Sequence, residues 1–218
     1  MKRLFLVIKT EINNFSRRSE EKANHTLWLE RGSLRLVLIS TFTALSVVSG
    51  YLLASIPNIE VFTMMIFLSG FILGKKDGLL IGLMSGFIFC FFNPYGASAI
   101  PLLTVQLIYY SLVGLLGAFT KSFLSGKRFF KPHEDLYVIQ ILIIFGFLGF
   151  FMTLCFDLSS SLVDSIWLFG TLDAFWIYYA SGLPFTIIHI IGNTLIFIFV
   201  LPVLIQLIYK ILDIPEDY

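Results

Sequence analysis

Two polar side chains that could bind a ligand share one face of an otherwise apolar segment. His189 and Asn193 lie four residues apart in an apolar run that spans roughly residues 183 to 209. Placing such groups at membrane depth is costly, so they usually face a cavity or a partner. We interpret them as ligand-binding residues, and a histidine satisfied by its own neighbours is the alternative.

Glu60 and Gln106 are two further polar residues at the edges of apolar runs. Glu60 stands at the start of the second run, and Gln106 lies about one turn into the fourth. We assign both to the same site. For Glu60 the alternative is a carboxylate that suits the dipole of a helix start. For Gln106 and Asn193 the alternative is a hydrogen bond between helices.

One pattern resembles a catalytic pair. Gly96-Ala97-Ser98-Ala99 precedes the fourth apolar run and His189 lies in the sixth, the order in which intramembrane rhomboid proteases place nucleophile and base. Ala99 stands where those enzymes carry a glycine. A rhomboid-like serine protease with Ser98 and His189 is therefore an alternative function, and a non-catalytic membrane scaffold is a third.

Other chemical signatures are missing from the sequence. It contains no phosphate-binding glycine loop that ends in lysine, and its three histidines form no HExxH pair. Cys90 and Cys155 both fall in apolar runs, where a thiol behaves as a small hydrophobic group. We predict a protein that is not an enzyme and that uses neither a metal nor a cofactor.

Six apolar runs must position these residues. They span roughly residues 34 to 54, 59 to 74, 78 to 92, 100 to 120, 136 to 156 and 183 to 209. Hydrophobic residues make up 57% of the chain and charged residues 13%, which leaves too little polar surface for a soluble globule. The pattern predicts an all-α integral membrane protein with six transmembrane helices.

Lys and Arg residues fall only before the first run, in the second and fourth gaps, and at the ends of the first and last runs. The positive-inside rule therefore predicts that both termini are cytoplasmic.

We divide the chain into a basic extension over residues 1 to 33, a six-helix membrane domain over 34 to 210 and a cytoplasmic tail over 211 to 218. The net charge of +1 argues against a nucleic-acid partner, and the basic extension suits anionic lipid headgroups.

The outer face in this orientation is acidic and aromatic. Its third loop is predicted to run from Asp157 to Gly182, which is long enough that part of it should fold over the protein as a cap. Aromatic walls with a few convergent polar groups are typical of small-molecule pockets, although an interfacial aromatic belt is the alternative. The residues assigned to the pocket are Asn58, Glu60, Asn93, Tyr95, Gln106, Asp157, Trp176, Tyr179, His189 and Asn193.

Small residues predict where helices approach one another closely. Gly78, Gly82 and Gly86 form a doubled GxxxG stripe in the third run, which we interpret as internal packing. Ser40 and Ala44 repeat this spacing in the first run. That second stripe suits either an internal neighbour or another subunit.

Over about residues 34 to 209 the chain resembles the substrate-binding S components of energy-coupling factor (ECF) vitamin transporters. The resemblance rests on six short helices with both termini inside and on the order of several short motifs. These are Ile56-Pro57-Asn58-Ile59-Glu60, Phe67-Leu68-Ser69-Gly70, Gly82 to Gly86, Phe92-Asn93-Pro94-Tyr95-Gly96, and Gly182-Leu183-Pro184-Phe185 before Ile188-His189.

The resemblance implies a capture subunit in the plasma membrane of a prokaryote, with a vitamin or related micronutrient bound at its extracellular side. It also implies docking on a transmembrane coupling subunit that carries two cytoplasmic ATPase subunits. Ser40 and Ala44 loosely match the docking stripe of that family. The motifs are most similar to members linked to cobalamin or its precursors, and riboflavin, thiamine and queuosine precursors are alternatives. The lack of outer cations argues against a multiply anionic ligand.

Overall fold

The computed structural model describes residues 32 to 56, 58 to 212 and 214. Within these residues the regular structure is entirely helical, which confirms the predicted all-α class. The elements are α1 (Gly32–Leu53), α2 (Phe62–Leu73), α3 (Lys75–Phe91), α4 (Ile100–Leu124), α5 (Ile139–Phe169), a 3-10 turn (Leu172–Ala174), α6 (Phe175–Phe199) and α7 (Leu201–Leu212). Nearly all of the predicted basic extension and Pro57 lie outside the described residues.

Four stretches of the described chain are long and apolar enough to cross a membrane. They are Gly32–Leu53, Ile100–Leu124, Ile139–Phe169 and Leu172–Leu212. Helices α2 and α3 have 12 and 17 residues, so at 1.5 Å per residue they rise only about 18 to 26 Å. All residues of α2 except Met65 and Leu73 are buried, so its neighbours enclose it on every side.

Two predicted boundaries are wrong. The segment from 157 to 182 is not a loop, because α5 continues to Phe169 and α6 begins at Phe175. It therefore forms no separate cap. Asp157 at the start of this stretch points into the bundle without breaking α5, which ends at Phe169, before Gly170 with its φ of 69°. The sixth apolar run is also interrupted, because Pro202 cannot donate a backbone hydrogen bond and α7 starts anew at Leu201.

Helices α2, α3 and α4 meet along a seam of glycines. A Cβ atom added at Gly70 would lie 1.7 Å from the carbonyl oxygen of Gly114. One added at Gly82 would lie 2.1 Å from the carbonyl oxygen of Tyr110. Only glycine permits such close contact between backbones, so the predicted internal role of the GxxxG stripe is confirmed.

Charged residues divide the bundle into two ends. At the basic end Arg35 of α1 binds Asp77 of α3, with 2.8 Å between Nε and Oδ2. The Lys and Arg residues at this end, which are all of those in the described part of the chain, are Arg35, Lys75, Lys76, Lys121, Lys127, Arg128, Lys131 and Lys210. At the opposite, acidic end the charged side chains of the described residues are Glu60, Asp157, Asp164 and Asp173.

Candidate functional site

Five polar side chains meet inside the acidic half of the bundle, and we call them the polar cluster: Glu60, Thr153, Asp157, His189 and Asn193. Thr153 and Asp157 lie one turn apart on α5, and His189 and Asn193 lie one turn apart on α6. Because the two helices are antiparallel, Asp157 faces His189 and Thr153 faces Asn193. Glu60 enters from the connection between α1 and α2, just before the first turn of α2.

His189 lies between two carboxylates. Its Nδ1 is 2.9 Å from Oδ1 of Asp157, and its Nε2 is 3.5 Å from Oε1 of Glu60. The side chain of His189 is 8% exposed, and those of Asp157 and Glu60 are 12% and 18% exposed. Both ring nitrogens can be hydrogen-bonded to these carboxyl groups in two ways: the imidazole carries two protons and donates twice, or one carboxyl keeps its proton and donates to the facing nitrogen. His189 therefore has protein partners on both sides.

Hydrogen bonds fix the direction of the Asn193 carboxamide. The Thr153 hydroxyl donates to the carbonyl of Gly149 at 2.8 Å, so its oxygen is free to accept the Asn193 Nδ2–H at 2.9 Å. The same nitrogen lies 3.5 Å from Oε1 of Glu60. Asn193 is 1% exposed, yet its Oδ1 has no partner in the protein. The site therefore contains an oxygen acceptor that is free to bind a donor.

Other buried polar atoms near the cluster are also without protein partners. They include Oδ2 of Asp157, Oε1 of Gln106 and Oγ of Ser160. Tyr109 of α4 packs on Phe156 of α5 with 4.9 Å between ring centroids, and Gln106 and Ser160 each lie one turn farther toward the acidic end. Buried polar groups in native proteins are nearly always paired. A group of unpaired ones marks a place where a ligand or water can bind.

Aromatic rings and a threonine support the cluster. The Phe156 ring meets the His189 imidazole edge to face at 6.0 Å, and the Tyr109 hydroxyl donates to the carbonyl of Met152 at 3.1 Å. The Thr63 hydroxyl donates to Glu60. The sequence reasoning missed Thr153, Tyr109 and Phe156. Thr153 could have been found, because it lies four residues before Asp157 just as His189 lies four before Asn193.

The remaining predicted pocket residues do not contact the polar cluster through side-chain hydrogen bonds or ring packing. Oδ1 of Asn93 accepts the backbone N–H of Tyr95 at 2.9 Å, and the Tyr95 side chain is exposed. Trp176 is exposed, and Tyr179 stacks on Phe175 at 5.9 Å. These aromatic side chains suit the interfacial belt that the sequence left as their alternative.

Asn58 has a structural place beside the cluster. Its φ of 58° is left-handed, a conformation that asparagine tolerates better than most residues. Its carbonyl oxygen lies 3.6 Å from the position that a Cβ atom would take at Gly192 of α6. The α1–α2 connection, from which Glu60 enters the cluster, therefore runs close to α6, which carries His189 and Asn193.

The catalytic pair of the protease alternative is not assembled. Both ring nitrogens of His189 face carboxylates, and the backbone N–H of Ser98 donates to the carbonyl of Cys90 at 3.1 Å. Ser98 and His189 share no hydrogen bond.

Cys90 and Cys155 are free thiols. In the described part of the chain no three His, Cys, Asp or Glu side chains are arranged to hold a metal ion.

Ser40 and Ala44 lie on the exposed side of α1. The buried side of this helix is formed by Ile39, Phe42, Thr43, Ser46, Val47 and Gly50. The small-residue stripe is therefore not used for packing within the described bundle. The described residues thus provide no internal neighbour for the stripe, and a contact with another subunit stays a prediction.

The chain was compared with family models, curated proteins and solved structures, and none of them matches it. Its fold and site therefore carry the functional inference. They are an all-helical bundle suited to a membrane and a buried polar cluster with unpaired acceptors.

Proposed function

We propose that this chain is the membrane-embedded capture subunit of an ECF-type importer. It binds a vitamin or related micronutrient at the acidic end and delivers it with the help of a coupling subunit and two ATPases. The observation that carries the proposal is the polar cluster. Its unpaired acceptors lie inside an apolar bundle, where unmet hydrogen bonds are costly unless a bound molecule meets them.

The proposal places the acidic end outside and the basic end in the cytoplasm. Gathering of cations at one end of a helical bundle is the pattern of the positive-inside rule. Six helices then lie in the membrane with both termini inside, α2 and α3 being shorter than a bilayer core of about 30 Å. Because α2 is enclosed by its neighbours, its length need not match the lipid.

Cysteine labelling tests this topology. In a background without Cys90 and Cys155, a cysteine at Thr171 should react with an impermeant maleimide added to whole cells, because the turn between α5 and α6 lies at the acidic end. A cysteine at Ser125 should react only after the cells are opened, because α4 ends there beside Lys127. Labelling of position 125 alone in intact cells would reverse the orientation.

In this proposal a partner protein supplies the energy for uptake. The proposed contact with that partner is the exposed stripe of Ser40 and Ala44 on α1. Ser40→Leu and Ala44→Leu should leave folding and ligand binding unchanged but abolish uptake, because bulky side chains prevent the close approach that small ones permit. The measurements are the thermal midpoint, ligand retention and cellular uptake. Ala180→Leu, which enlarges an exposed alanine on α6, is the matched control and should not affect uptake. Normal uptake by both α1 variants would contradict docking at this stripe.

Native mass spectrometry of the full chain, purified from cells in mild detergent, tests the function itself. We expect a small molecule to be retained and to be lost or depleted in Asn193→Ala. That substitution removes an unpaired acceptor and leaves the Thr153 hydroxyl bonded to Gly149. If the chain retains no small molecule, and cells lacking it take up micronutrients normally, the proposed function is wrong.

A further inference from the structure

We infer that the ligand of the polar cluster is a small organic cation that presents N–H groups, such as a protonated amine or an amidinium. The inference rests on the proposed function in one respect, namely that the cluster is a ligand site. It goes further by deriving the chemical class of the ligand from the atoms that are left to bind it.

With Asp157 ionised, the two unpaired oxygens of the cluster are both acceptors. Oδ1 of Asn193 is an acceptor because its Nδ2 is committed to Thr153 and Glu60. Oδ2 of Asp157 is the second carboxylate oxygen of a group whose Oδ1 already faces His189. Oxygen atoms with free lone pairs require N–H or O–H donors. The oxygens of an ionised carboxylate or phosphate ligand are acceptors too, so they would repel these oxygens and form no hydrogen bond with them.

The charge of the site favours a cation among possible donors. Glu60 and Asp157 bring two carboxylates, and His189 can offset only one of them. Along the described chain, no Lys or Arg lies at the acidic end, where Asp164 adds a further carboxyl. A cleft lined by one sign of charge concentrates the opposite ion at its mouth. A bound cation would also balance the second buried carboxylate, whose burial is otherwise costly.

The carboxylates of the cluster are partly accessible, and aromatic rings border it. The side chains of Glu60 and Asp157 keep 18% and 12% of their surface exposed, so the cluster can be reached from outside. Phe156 and Tyr109 lie beside His189 and offer aromatic surface. A cation held near an aromatic face gains further electrostatic attraction.

The inference is tested with three probes of one size that differ only in charge and donors: benzamidine, benzamide and benzoate. Binding to the full chain in detergent is measured by isothermal titration and by the rise in thermal midpoint. We expect benzamidine to bind more tightly than benzamide, and benzoate not to bind. Asp157→Asn should weaken benzamidine by about 10- to 100-fold, the value of one hydrogen bond to a charged group. Asparagine at this position can still accept the His189 N–H, so the fold should persist.

Asp135→Asn is the matched control, because it removes an exposed carboxylate at the basic end and should not change the affinity. Preferential binding of benzoate, equal binding of all three probes, or binding of none would overturn the inference. So would a retained natural ligand that is neutral or anionic. That last result would leave the proposed capture function standing, whereas a chain with no retained ligand and no role in uptake would refute the function as well.

Discussion

An alanine at Gly70 is expected to prevent stable assembly of the bundle. Its Cβ atom would lie 1.7 Å from the Gly114 carbonyl oxygen, which is a backbone atom and cannot rotate away. Overpacking a core costs about 1 to 3 kcal/mol where side chains can adjust. Here two helix axes must separate, so we expect a loss at or above the upper end of that range. The measurements are the monodisperse yield in detergent and the thermal midpoint.

Gly182→Ala is the matched control for this substitution. Gly182 lies within α6. Apart from its two neighbours in the chain and the backbone of its own helix, no atom lies within 4 Å of an added Cβ. Alanine favours a helix over glycine by about 1 kcal/mol, so this variant should melt at the same temperature or slightly higher. If Gly70→Ala and Gly182→Ala behave alike, α2 and α4 do not approach as closely as the structure has them.

The glycine seam also shows how far the sequence could predict the fold. Apolar runs gave the existence of the helices, and the spacing of Gly78 and Gly82 gave a close packing face. The partners of that face, Tyr110 and Gly114 of α4, could not be predicted. A periodic pattern in one helix states which side is packed, but not which neighbour packs there. Only the tertiary structure supplies that pairing.

The predicted length of the fifth helix was wrong for a different physical reason. The sequence prediction ended the fifth helix near residue 156, because Asp157, Ser160 and Asp164 lower the hydropathy that defines a span. Polar residues do not break a helix when they face the interior of a bundle, and α5 runs on to Phe169. The predicted 157–182 loop is thus the acidic-end part of two helices. Asp157 begins this stretch and lies at hydrogen-bond distance from His189, which stands farther along α6.

The site was predicted in part. The shared face of His189 and Asn193 followed from their spacing, and Glu60 and Asp157 were assigned to the same pocket as single residues. The contacts that unite them join α5 and the α1–α2 connection to α6 across 32 to 133 positions of sequence. Tyr95 and Trp176 were assigned because aromatic residues line pockets, but the same residues also suit the membrane interface. Composition alone cannot separate these roles.

Asn193→Ala and His189→Ala should differ in their effect on the empty protein. Asn193→Ala removes the unpaired acceptor together with the Nδ2–H that Thr153 and Glu60 accept, while the Thr153 hydroxyl keeps its bond to Gly149. We expect ligand affinity to fall about 5- to 150-fold, from the loss of about 1 to 3 kcal/mol, and the midpoint to fall less than in His189→Ala, because no charge is left unpaired. Isothermal titration and a melting curve measure the two effects separately.

His189→Ala is expected to lower both affinity and stability, since its imidazole separates the buried carboxylates of Asp157 and Glu60. Removing one partner of a buried ionic group typically costs about 3 to 5 kcal/mol. The half-exposed Ile187→Ala on the same helix is the control and should change the midpoint little. Adding Asp157→Asn to His189→Ala removes one stranded charge and should recover part of the stability, which a double-mutant cycle measures. An unchanged midpoint for His189→Ala would mean that the imidazole does not bridge these carboxylates in the empty protein and that it serves the ligand alone.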